Sequence, residues 1–176
     1  MKCDIKMDEI WRLSDMVQQP VLETPDQVRT FVTALTKLIY DYKMVGVIYD
    51  IFTEEVEYHK QSGIRFNSPD EIAIHVNELE AAFPDLETEI DHIIVYQAAP
   101  DCWKVYRRMR LKGTNLGFSP YGPATGKSLG ERCLNLTMLY LKQVDGQWKI
   151  PFAVNSDSEH LLQMTQTTEE EGGNSQ

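Results

Sequence analysis

The stretch FPDLETEIDHIIVYQAAPDCWKVYRRMRLK, residues 83–112, contains the change of period that decides the fold. Before it, apolar residues recur every three to four positions; from Leu86 onward they alternate with polar ones, as in half-buried strands. Phe83-Pro84 ends the helical part, because proline disfavours helical geometry in the residue before it. Leu86 to Gln97 then reads as a strand, Ala98-Ala99-Pro100-Asp101 as a turn, and Cys102 to Lys112 as the next strand.

Downstream, Leu129 to Val144 is a further strand, with Leu134, Leu136, Met138 and Tyr140 alternating against Asn135, Thr137 and Leu139. Asp145-Gly146 is a hairpin turn that returns the chain as Trp148 to Val154. Upstream, Thr24-Pro25-Asp26-Gln27 has the form of a capping box with proline at the first helical position. Val28, Phe31, Val32, Leu35, Leu38, Ile39 and Tyr42 follow at helical spacing. Lys43 to Asp50 reads as a second short helix and Phe52 to His59 as a first strand, with Phe52, Val56 and Tyr58 on one parity. Ser68-Pro69-Asp70-Glu71 repeats the helix-start signal ahead of Ile72, Val76 and Leu79. Helices first and a curved antiparallel sheet second is an α+β order.

The chain has 176 residues, enough for one domain with a core of its own. We expect that domain over residues 1–164 and a disordered acidic tail over 165–176. With 17 basic against 27 acidic side chains, the formal charge is −10. A surplus of that sign repels phosphate backbones, so no nucleic-acid partner is expected. No apolar run reaches the roughly 18 residues of a membrane span, and the first residues lack a signal-peptide pattern, so a cytoplasmic location is the expectation. Cys3, Cys102 and Cys133 form no CxxC and read as free thiols. The histidines lie far apart, and neither a metal nor a cofactor is expected. Gly122 to Ser128 ends in Thr-Gly-Lys-Ser but has one residue too few for a phosphate loop, and a strand rather than a helix follows it.

Several side chains are candidates for a site. His59 follows the first strand, and His92 alternates with Ile90, Ile94 and Tyr96. Arg107 shares parity with Val105, Met109 and Leu111, which favours the inside; Arg108 shares the more polar parity of Tyr106 and Arg110. Trp103, Tyr49 and Tyr58 are aromatic candidates for a pocket wall.

Some motifs, taken in order, resemble those of the SnoaL-like polyketide cyclase family of the nuclear-transport-factor-2-like (NTF2-like) superfamily. They are Tyr58-His59, Phe83-Pro84-Asp85-Leu86, Arg108 through Gly113-Thr114-Asn115, Ala124-Thr125-Gly126-Lys127, Asp145 to Ile150, Asp157 and Leu161-Leu162-Gln163-Met164. The resemblance implies a cone-shaped barrel, a curved mixed or antiparallel sheet packed against amino-terminal helices, of the cystatin-like/NTF2-like kind. It also implies a homodimer paired through the sheet and a small hydrophobic organic ligand. The implied chemistry is cofactor-independent cyclase, isomerase or dehydratase catalysis on a carbonyl compound, with Asp157 as acid/base. Asn115 stands where the family has histidine, so the proton donor passes to His92 or His59, and Asn115 is left to bind substrate, with Arg108 as the family's counterpart to Arg107. Asp157 also falls one residue early, and in an extended strand one residue reverses the face. The alternative to an enzyme is a non-catalytic binding protein of the same fold, or a dimeric interaction module.

Overall fold

The computed structural model describes residues 2–18, 20–120, 122–129 and 133–157. The expected tail at 165–176 and the motif at 161–164 lie outside the described residues. In chain order the elements are α1 (Lys2–Gln18), α2 (Pro25–Thr36), a π-helical turn (Lys37–Asp41), α3 (Val47–Ile51), β1 (Phe52–Lys60), β2 (Arg65–Phe66), α4 (Pro69–Ala82), β3 (Glu87–Ala99), β4 (Cys102–Lys112), β5 (Leu134–Val144) and β6 (Gln147–Asp157).

Helix α2 begins where its sequence signals place it. The Thr24 hydroxyl accepts from the Gln27 amide, the Gln27 side chain accepts from the Thr24 amide, and Pro25 opens the helix. Its Val28, Phe31, Val32 and Leu35 are buried, and each such apolar side chain contributes about 1.5–3 kcal/mol by leaving water. In α4, Ser68 accepts from the Glu71 amide and Pro69 takes the first position. Asp145 and Gly146 both have positive φ (51° and 78°), as the tight β5–β6 hairpin requires.

Among the described residues the sheet has six strands in the order β2-β1-β6-β5-β4-β3. This corrects the expected cone-shaped barrel with a curved sheet. The sheet is open, with β2 at one edge and β3 at the other, and among the described residues no ladder joins them. It is also mixed, since β1 runs parallel to β6 while the other pairs are antiparallel. Alternating sequence gives strands their two faces but carries no information on whether the first and last strands meet. The β3 edge has Glu87, Glu89 and Asp91 and two register breaks, which are ordinary protections against edge pairing.

The main core joins Leu13 and Val17 of α1, the apolar face of α2, Ile48 and Ile51 of α3 and the inward residues of the sheet, Val105, Leu139, Leu141, Ile150 and Ala153. A smaller core holds Leu79, Ala82, Phe83, Leu86, Met109, Leu111, Leu129 and Cys133. Leu134, Leu136, Met138 and Tyr140 lie on the other face of β5, half-buried or exposed. Among the described residues no helix is long and apolar enough to cross a membrane.

Candidate functional site

A cavity of about 50 Å³ lies where the two cores meet, between α4, the π-helical turn and the sheet. Leu35, Ile39, Ile72, Val76, Leu79 and Leu139 form part of its apolar wall. Its polar side is built by register. Arg107 pairs with Thr137, Thr137 with Asn155, and Asn155 with Lys60, which sets one polar row across β4, β5, β6 and β1. One step along, Asn135 pairs with Asp157. All of these share the inward parity of their strands.

Arg107 is 8% exposed. Its Nη1 donates to Thr36 Oγ1 (2.6 Å), and its Nη2 donates to Thr137 Oγ1 (2.9 Å) and Asn135 Oδ1 (3.2 Å). Asn135 Nδ2 donates onward to Asp157 Oδ1. Asp157 Oδ2 lies 3.4 Å from Lys60 Nζ, with both side chains less than a tenth exposed. Lys60 Nζ is in turn 3.1 Å from Nε2 of His75 on α4. The chain Arg107–Asn135–Asp157–Lys60–His75 therefore follows the cavity, with Lys60 set behind the wall that the other four line.

The π-helical turn adds Tyr40, as such widened turns often do at functional sites. Burial holds the Tyr40 and Tyr58 phenols protonated, pushing their pKa up, with the Arg107 guanidinium acting in the opposite sense. Glu80, next on α4, has a carboxyl pushed up to about 7 by burial, offset in part by Lys43. One of its oxygens is buried with no hydrogen-bond partner. Because the folded state favours the protonated acid, Glu80 adds stability below the ordinary carboxylate range and loses it as pH rises to about 7. We expect wild-type thermal stability to fall between pH 5 and 8 by more than that of Glu80→Gln. Parallel pH profiles of the two proteins would show that Glu80 is solvated.

The structure places the sequence candidates as follows. Asp157, Arg107 and Tyr58 line the cavity. His59 does not: it has the opposite parity to Tyr58 and Lys60, its ring lies 5.4 Å from that of Phe152, and its Nε2 is 3.5 Å from Glu57. His92 is exposed on the edge strand, where its Nδ1 meets the Asp91 carbonyl. Arg108 is exposed and pairs with Asp91 at 3.3 Å. Tyr49 is exposed and donates to Asp70 (2.9 Å), while Trp103 is buried, donating to the Leu22 carbonyl (2.9 Å). Asn115 is buried in the loop after β4, where its Oδ1 accepts from the Thr125 amide (2.7 Å) and so shapes the Thr125–Ser128 turn.

One cavity residue, His75, and the lysine behind the wall that pairs with Asp157, Lys60, were missed in the sequence, although their signals were present. Lys60 continues the parity of Val56 and Tyr58, and His75 lies three residues after Ile72 and four before Leu79 on the buried face of α4. Among the described residues no three His, Cys, Asp or Glu side chains gather as a metal site. The Cys133 thiol is pushed up to about 12 by burial, which keeps it unreactive.

No family model matches the chain, and no curated protein matches it in sequence. Solved structures do match in shape. Aln2 from a Streptomyces species superposes with a TM-score of 0.59 at 14% identity, over 82% of this chain and 99% of that one. An NTF2-like protein from Cytophaga hutchinsonii gives 0.57 at 12% identity, over 77% and 99%. The hexachlorocyclohexane dehydrochlorinase LinA-type3 from Novosphingobium barchaimii gives 0.54 at 13%, over 68% and 77%. These likenesses establish an α+β fold of the NTF2-like kind.

Proposed function

We propose that the protein binds a small organic carbonyl compound in this cavity and moves a proton next to the carbonyl, with Asp157 as the base. The observation that carries the reading is the seat of Asp157. Its side chain, 9% exposed, lines a mostly apolar cavity, paired with Lys60 and linked through Asn135 to Arg107. A base of this kind needs a fixed, dehydrated position, and the oxyanion it generates needs donors arranged in advance. Arg107 and Tyr40 stand in place for that second task, and Lys60 or His75 takes the donor role earlier assigned to His59 or His92. The cavity volume of about 50 Å³ is far below the roughly 300–1,000 Å³ of drug-sized ligand pockets, so the reading is limited to small compounds and not extended to multi-ring polyketides.

Deuterium exchange tests this without knowledge of the natural substrate. In heavy water, a panel of small ketones and keto acids should include members whose α-protons wash out faster with protein than without. A compound that raises the melting temperature yet shows no accelerated exchange would favour the second reading, a binding protein without catalysis. The observation on that side is that Asp157 is already engaged by Lys60 and Asn135.

A further inference from the structure

Two polar atoms on the cavity wall are buried with no partner, Arg107 Nε and Asn155 Oδ1. The residues are 8% and 1% exposed, and in folded proteins buried groups of this kind are nearly always satisfied. They are neighbours: Arg107 Nη2 and Asn155 Nδ2 both donate to Thr137 Oγ1, at 2.9 and 3.1 Å.

Hydrogen bonding fixes which kind of atom each one lacks. Arg107 can only donate. The Asn155 amide is oriented by its neighbours. Thr137 gives its proton to Asn135 Oδ1 (2.9 Å), and Asn135 gives its own amide protons toward the Asp157 carboxylate. Thr137 Oγ1 is therefore an acceptor toward Asn155, and the oxygen of Asn155 is the end left open. The wall thus lacks one acceptor and one donor, side by side.

Charge sets the nature of the acceptor. Every partner of the Arg107 guanidinium is neutral: Thr36, Thr137, Asn135 and the Tyr40 phenol. Among the described residues no carboxylate lies within 4 Å of it. Asp157 stands beyond Asn135 and is paired with Lys60, which leaves Arg107 as the cation of the cavity wall with no carboxylate of its own. A buried cation without an anion is costly, and arginine is the side chain best suited to a carboxylate.

We infer that the cavity recognises a short carboxylate with a hydroxyl on the neighbouring carbon, the carboxylate on Arg107 Nε and the hydroxyl donating to Asn155 Oδ1. The inference rests on the cavity being the ligand site. It narrows the carbonyl compound to a 2-oxo acid, whose enol has such a hydroxyl beside its carboxylate.

Lactate, lactamide and propionate separate the parts, with affinities read by calorimetry or by NMR titration. Lactate should bind roughly tenfold or more tightly than lactamide, which lacks the charge, and more tightly than propionate, which lacks the hydroxyl. Arg107→Met should erase the preference for lactate over lactamide. Equal binding of lactate and lactamide, or a preference that persists in Arg107→Met, overturns the assignment. Equal binding of lactate and propionate overturns the place given to Asn155. If none of the three binds, the ligand-cavity reading falls as well. The wild-type ratios decide even where Arg107→Met fails to fold.

Discussion

Asp157→Asn should slow α-proton exchange of a responsive carbonyl compound by roughly 10²–10⁴-fold, the usual contribution of a positioned general base. Asparagine has nearly the same size and keeps an oxygen that can accept from Asn135 Nδ2, so the cavity wall keeps its shape. It cannot take a proton. The same change removes an anion from Lys60, whose side chain is only 5% exposed. Breaking a buried pair from one side costs about 3–5 kcal/mol, so the variant should also unfold earlier. The two losses can be told apart. Adding Lys60→Met to Asp157→Asn removes the buried cation and should restore part of the stability while leaving the exchange rate low, and Lys60→Met alone separates the loss of a proton donor from the loss of the base. Recovery of the rate together with the stability would show that Asp157 acts only through the fold, and the base would have to be sought elsewhere.

That assignment draws on features that differ greatly in how legible they were. Strand β4 matches its sequence boundaries because period-two alternation and the flanking turns are local signals, and the same holds for the capped starts of α2 and α4. Helix α1 has no capping signal or proline to mark its start, although Ile10, Leu13 and Val17 have the spacing of a buried face. Strand β5 was placed five residues early, because Leu129 joins the smaller core from the loop rather than from the ladder. The closed barrel failed for a different reason, since edge strands that stay apart and edge strands that meet can have the same alternation. Within the site, parity was the useful signal. It placed Arg107 inside and Arg108 outside, and it would have placed Lys60 inside and His59 outside had it been followed to the end of β1. The cross-strand row Arg107–Thr137–Asn155–Lys60 depends on register across four strands, which no single segment reveals.

Gly117→Ala should destabilise the protein by roughly 3 kcal/mol or more, at or beyond the upper end of ordinary overpacking. A Cβ at Gly117 would stand 1.6 Å from the Ala81 carbonyl oxygen and 2.9 Å from its carbon. Both atoms belong to helix backbone, so no side-chain rotation relieves the clash. The contact is this close because the amides of Leu116 and Gly117 both donate to the Ala82 carbonyl, at 3.1 and 3.3 Å, pinning the loop onto the end of α4. That loop continues to Leu129, whose amide donates to the Gly113 carbonyl and whose side chain is buried in the smaller core with Leu79 and Leu111. Leu79 and Leu111 also line the cavity, so lifting the loop loosens the wall of the site. Gly46→Ala is the matched control: nothing lies within 4 Å of its Cβ, and its φ of −56° suits any residue. Urea unfolding of the two variants should show a large loss for Gly117→Ala and a change within about 0.5 kcal/mol for Gly46→Ala. Ligand affinity should weaken only in the first. A Gly117→Ala protein as stable as wild type would mean that the loop does not sit on α4 at this distance, and the cavity would lose the support this contact provides.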